Sequence, residues 1–128
     1  MINMIESDVN GGVTMLGVGI IGCGTITRLR HAPEYARNAD CRLIALADAV
    51  PGRAAQLAAL YGAQACGDYH ELLARPDIGA VSVCTANQTH AAIAREAMLA
   101  GKHVLCEKPM AVTDEDAAML CAVSRRTG

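Results

Sequence analysis

The residues best suited to chemistry stand at two distant places in the chain. Near the end, Gly101-Lys102-His103-Val104-Leu105-Cys106-Glu107-Lys108-Pro109 is a short apolar strand that delivers an acid, a lysine and a proline. A lysine at the carboxyl end of a strand in an open parallel sheet stands where such sheets bind ligands. Pro109 fixes φ and ends the ladder, which gives the Lys108 ammonium a defined place. A lysine desolvated beside a cationic ring yields its proton more easily, so exchange with a substrate hydroxyl becomes feasible near neutrality. Glu107 is placed to hold Lys108 or to meet a ligand's ribose. The plainer alternative is an exposed ion pair, worth little.

The second place is a glycine turn near the beginning. The literal pattern G-x-G-x-x-G falls on Gly17, Gly19 and Gly22. That register is a decoy, because it lies inside the apolar run Leu16 to Ile21. The useful register is Gly22-x-Gly24-x-x-Thr27, directly after the strand and before a helix. Gly22 permits the tight turn, and Gly24 lets backbone approach a pyrophosphate held by helix N–H groups. Gly22, Cys23, Gly24, Thr25 and Ile26 are therefore the expected cradle, although a tight turn with no ligand is the bland reading. Thr27 takes the place of the usual third Gly or Ala, which predicts looser packing of helix on strand.

Asp48 strengthens the cradle. It ends the second strand, 24 residues after Gly24, where a carboxylate accepts both hydroxyls of an adenosine ribose. The same carboxylate repels a 2′-phosphate, so NAD is expected over NADP, with Arg53 the residue that an NADP would recruit. The structural alternative for Asp48 is a helix N-cap near Pro51. Thr85, Ala86, Asn87 and His90 follow the fourth strand, across the sheet's switch point from the pyrophosphate. His90 hydrogen-bonds a ligand or caps the next helix. His31 and His70 read as ordinary helix residues and His103 as a strand start.

These residues need elements to hold them, and strand-like and helix-like segments alternate along the chain. Leu16 to Ile21 is the first strand. A helix follows from about Thr25, kinked or restarted at Pro33. Cys41 to Ala47 is the second strand, after which Pro51 opens a helix that Gly62 closes. Ala63 to Cys66 is a short third strand, and Asp68 caps a brief helix through Leu73. Ala80 to Cys84 is the fourth strand, with a helix from about Thr89 to Ala100 ending at Gly101. His103 to Cys106 is the fifth strand. Thr113 and Asp116 resemble a capping box that opens a final helix. Near-continuous apolar strands joined by helices imply a doubly wound parallel sheet, an α/β Rossmann arrangement of about five strands. Residues 1–15 read as a disordered leader and 16–128 as one domain.

Composition narrows the function classes. The 128 residues are 52% hydrophobic, mostly Ala, Val, Leu and Ile, and the three tyrosines are the only aromatics. A net charge of −2 and so few rings leave neither a basic field nor a stacking platform for nucleic acid. The six cysteines contain no Cys-x-x-Cys pair, so no metal site is expected, and reduced thiols suit a cytoplasmic protein. No apolar stretch is long enough to span a membrane.

Taken together, these residues resemble the glucose–fructose oxidoreductase, inositol dehydrogenase and MocA (Gfo/Idh/MocA) oxidoreductases. The matching stretches are Gly19 to Gly24, His31-Ala32-Pro33, Ala47-Asp48, Asp68 to Leu73, Thr85 to His90 and Gly101 to Pro109. Ala86 replaces the family's common proline. The resemblance implies a nicotinamide dinucleotide across Gly22 to Ile26, Asp48, Thr85 to Asn87 and Glu107. It also implies that Lys108 assists proton transfer from a sugar or polyol hydroxyl. Family members carry a second α/β domain with most of the substrate pocket. This chain is expected to stop before a sixth strand, to be inactive alone and to self-associate through the His103 to Cys106 edge. The competing class is a non-catalytic nucleotide-sensing or interaction module.

Overall fold

The computed structural model describes residues 14–128, so the expected leader lies outside them except for Thr14 and Met15. The strands are β1 (Leu16–Ile21), β2 (Cys41–Ala47), β3 (Gln64–Cys66), β4 (Ala80–Val83) and β5 (His103–Cys106). They form one sheet in the order β3-β2-β1-β4-β5, and every pairing is parallel. The expected doubly wound sheet is the one observed. The central strands β1, β2 and β4 are mostly apolar because helices cover both faces of the sheet there, whereas the edge strands β3 and β5 are partly exposed. Ile20 and Leu46 pack into one core, whereas Ile21, Ala45 and Ala47 pack into the other. The helices α1 (Ala32–Arg37) and α2 (Arg53–Tyr61) cover the first face with Ala32, Ala54, Leu57 and Ala58. The second is covered by α3 (Tyr69–Leu73), α4 (His90–Leu99) and α5 (Asp114–Thr127) through Leu72, Ala97 and Leu120.

Gly17 and Gly19 serve this packing. A Cβ on Gly19 would lie 2.6 Å from Leu72 Cδ2, and one on Gly17 would overlap the Asp77 carbonyl. Sheet order then locates the site. β1 feeds β2 on one side, whereas β4 lies on the other, so the connections diverge at the carboxyl end of β1. That divergence opens the crevice in which such sheets bind ligands.

Several expectations on element boundaries are corrected. Pro51 does not open α2, which begins at Arg53 after Gly52. Gly52 has φ 78° and ψ −17°, and the Arg53 N–H donates to the Val50 carbonyl at 3.2 Å. Val50-Pro51-Gly52-Arg53 is thus a type II turn, with proline and glycine in their preferred places. β4 stops at Val83, and a 3₁₀ turn (Asn87–Thr89) precedes α4. A π-helical turn (Thr27–His31) leads into α1 just before Pro33, which has no N–H to continue the pattern. The caps expected at Asp68 and Thr113 are present, accepting from the His70 and Asp116 N–H groups at 2.9 and 3.1 Å.

β5 pairs with β4 alone among the described residues, and its Leu105 is 55% exposed. No described helix is long and apolar enough to cross a membrane.

Candidate functional site

The glycine turn is pinned to both neighbouring strands. The Gly22 N–H donates to the Ala47 carbonyl at 2.8 Å, and the Cys84 N–H donates to the Ile21 carbonyl at 2.7 Å. Gly22 has φ 97°, and a Cβ there would lie 2.5 Å from the Cys84 carbonyl oxygen. Only glycine fits. Gly24 is different, for open space lies where its side chain would be. The first N–H groups of a helix have no carbonyl below them, so the turn presents donors beside a vacant approach.

Thr27 corrects the expectation of looser packing. It is fully buried, and its Oγ1 donates to the Gly22 carbonyl at 2.6 Å. The hydroxyl closes the contact that a smaller residue would make by size. Cys23 contributes its backbone, not its thiol. The thiol is buried against the Ala47 carbonyl, and burial, then Asp48, pushes its pKa up to about 12. Burial likewise raises Cys84 to about 11, so neither is a ready nucleophile.

Asp48 ties the turn to the end of β2. Its Oδ2 accepts from the Cys23 N–H and its Oδ1 from the Val50 N–H, both at 2.7 Å. Its side chain is 7% exposed, and the Arg53 guanidinium lies 3.7 Å from Oδ2. A carboxylate accepts about four hydrogen bonds, so capacity remains for a ligand. Asp48 lines both clefts at this end of the sheet. One, of about 460 Å³, is walled by Gly22, Tyr69, Thr85 and Ile93. The other, of about 420 Å³, is lined by Gly24, Thr25, Ile26, Arg53 and Thr85. Asp48, Ala49, Thr85 and Ala86 border both, so the clefts are contiguous. Asn87 is exposed and lines neither.

The lysine side is built from longer-range contacts. Glu107 and Lys108 follow β5, next to the β4 end that carries Thr85. Glu107 holds the Lys108 backbone, accepting its N–H on Oε2 at 3.3 Å. Its Oε1 is taken by His31 Nε2 at 2.6 Å. That hydrogen bond, against the opposing effect of burial, draws the Glu107 carboxyl below its usual pKa. His31 is therefore no ordinary helix residue. Its Nδ1 lies 3.2 Å from Ser82 Oγ, which lies 2.7 Å from the Tyr35 hydroxyl. Ser82 was the available signal, a buried hydroxyl inside an apolar strand that needs a partner.

His90 does not cap α4, and both of its ring nitrogens face backbone carbonyls. It is fully buried, with Nε2 2.9 Å from the Thr85 carbonyl and Nδ1 2.7 Å from the Pro109 carbonyl. It lies between the loop after β4 and the loop after β5, and a neutral imidazole there donates to one of the two carbonyls. His70, also expected to be an ordinary helix residue, bridges Asp68 and Glu96 at 2.6 and 2.8 Å on the surface. No cluster of three metal-ligating side chains occurs among the described residues.

A family model for an oxidoreductase family with an NAD-binding Rossmann fold matches residues 16–128. The chain belongs to the Gfo/Idh/MocA family. It is 38% identical over 116 residues to D-glucoside 3-dehydrogenase of Escherichia coli (strain K12), covering 88% of this chain and 32% of that protein. Inositol 2-dehydrogenase of Rhizobium meliloti (strain 1021) is 40% identical over 92 residues, covering 72% and 27%. The 3-ketoreductase KijD10 of Actinomadura kijaniata, solved with NADP and TDP-benzene, superposes with a TM-score of 0.85 at 33% identity, covering 89% and 35%. The chain thus spans about a third of the length of these relatives. Among Gfo/Idh/MocA proteins it corresponds to the NAD(P)-binding domain.

Proposed function

We propose that this domain holds NAD in preference to NADP, for oxidoreduction of a secondary alcohol on a sugar, inositol or related polyol, with Lys108 assisting proton transfer. The observation that carries the reading is Asp48, a nearly buried carboxylate that fixes the glycine turn through the Cys23 N–H and still borders both clefts. Gly24, Thr25 and Ile26 supply backbone donors for a pyrophosphate, the Gly22 and Cys23 N–H groups being taken by the Ala47 carbonyl and Asp48, and Asp48 keeps acceptor capacity for ribose hydroxyls. Thr85 and Ala86 form the opposite wall. The bound nicotinamide ring supplies hydride exchange.

Lys108 is exposed and follows β5, the strand next to β4, and neither it nor Glu107 lines the two clefts. Among the described residues it is hydrogen-bonded through its backbone N–H alone. Its ammonium is thus available to take up or return the proton of a substrate hydroxyl. Support for the substrate class comes from the relatives, which are named for glucosides and inositol.

Arg53 favours a second reading of cofactor choice. It stands 3.7 Å from Asp48, where a 2′-phosphate would meet it, and KijD10 was solved with NADP. Calorimetry decides between them. NADH is expected to bind more tightly than NADPH, and Asp48→Ala to weaken NADH by about 1.5–3 kcal/mol through loss of hydrogen bonds to a charged group. Tighter NADPH binding, abolished by Arg53→Ala, would transfer the selectivity to Arg53.

A further inference from the structure

The loop that carries Lys108 is held on both sides by histidines. His90 grips the Pro109 carbonyl from below, and His31 grips the Glu107 carboxylate from the helix that begins at the glycine turn. The second grip spans 76 residues of sequence and joins the two places where the chain's chemistry resides. Its hydrogen-bond directions are consistent from end to end. Glu107 accepts the Nε2 proton, which leaves Nδ1 to accept from Ser82, while Ser82 accepts from Tyr35. The tautomer of His31 is thus set by a second partner, an arrangement that fixes both the ring and the group it touches.

Three elements supply this chain: the π-helical turn with α1, the centre of β4 and the end of β5. The π-helical turn helps, because Thr27 and His31 both face the sheet, one bonding the Gly22 carbonyl and the other Glu107. The cradle and the lysine loop therefore share one short helical segment. Glu107 is left 25% exposed, and with one hydrogen bond on each oxygen it retains acceptor capacity.

We propose that His31 is a positioning residue: it holds the Glu107 carboxylate in the orientation that receives the ribose of the cofactor's nicotinamide half. The proposal rests on the dinucleotide reading above, with the Glu107 contact that the family resemblance implies, and adds His31 to it as the residue that orients that carboxylate. The titratable groups facing Glu107 are His31, Lys108 and the thiols of Cys84 and Cys106. Of these, His31 alone donates a side-chain hydrogen bond to it.

The test compares two ligands on the full chain. NADH has the nicotinamide riboside, whereas ADP keeps the adenosine and both phosphates and lacks that half. His31→Leu is expected to weaken NADH by about tenfold, the scale of one charge-assisted hydrogen bond, and to leave ADP within about twofold. Glu107→Gln, which keeps the shape of the side chain, is expected to repeat the pattern. ADP binding also reports that each variant has folded. Equal losses for both ligands in both variants, or no loss of NADH in either, would overturn the positioning role while leaving the dinucleotide reading intact. Wild-type protein that binds neither ligand would instead overturn the dinucleotide reading, and the positioning role with it.

Discussion

The two sides of the crevice are built by different means. On the β1–β2 side, the glycine turn is locked by backbone hydrogen bonds and by one carboxylate, Asp48, at the end of the adjacent strand. On the β4–β5 side, the lysine loop is held by side chains from elsewhere, His31 on Glu107 and His90 on Pro109. Burial follows the same division. β1 has strands on both sides and four consecutive buried residues, whereas β5 alternates between exposed and half-buried. A phosphate cradle requires backbone held rigidly at close range. The proposed proton exchange at Lys108 needs an accessible ammonium, which a loop held by distant side chains leaves exposed.

The sharpest way to break this contrast is Gly22→Ala. The new methyl would meet the Cys84 backbone at 2.5 Å, in a conformation with φ 97° that alanine resists. Strain and overpacking together should cost about 2–6 kcal/mol, enough to unfold much of a marginal domain. Urea unfolding measures it. Gly24→Ala, a change in open space, should leave stability within about 1 kcal/mol. Comparable losses at the two glycines would show that the turn is not specified by the close approach of β4.

This division explains what the sequence could reveal. The β2 and β5 bounds, the caps at Asp68 and Thr113, and the Gly22-x-Gly24 register rest on local patterns, and all appear in the structure. Asp48 follows from its place at the end of β2. His31 and His90 do not, because their partners are fixed only when distant strands pair. A histidine in a helical pattern carries no sign of a glutamate 76 residues away. Pro51 failed for a related reason: Pro-Gly favours a type II turn, which competes with proline as a helix opener. Thr27 was misread by size alone, since its hydroxyl supplies the contact that a smaller residue would allow.

Thr27→Val tests the cradle side at a lower energy. The substitution keeps the volume and removes the bond to the Gly22 carbonyl inside a fully buried contact. A loss of about 1–2 kcal/mol in urea unfolding is expected. An unchanged midpoint would mean that packing, not the hydroxyl, seats the helix on β1.

The smallest expected effect lies on the lysine side and is visible through pH. The Glu107 carboxyl has its pKa lowered, chiefly by the hydrogen bond from His31. A carboxyl lowered on folding stabilises the protein above its ordinary value of 4.5, and that stability is lost as pH falls through the folded value. His70 behaves oppositely. Its pKa is raised, first by the hydrogen bond to Asp68, so its contribution is complete below 6.5 and is lost as pH rises through the folded value. The two groups therefore act in separate windows, acidic for the Glu107 carboxyl and near or above neutrality for the His70 imidazole. Wild-type protein should exceed Glu107→Gln in stability by less than about 1 kcal/mol at about pH 6, and the margin should shrink as pH falls below 4.5 and through the folded value. His70→Gln should show its deficit at about pH 6 and lose it as pH rises above 6.5 and through the folded value. Urea midpoints across this range measure both margins. A Glu107→Gln margin that stays flat into acid would mean that Glu107 gains nothing from His31 as a charged group, and that its charge does not help to hold the lysine loop.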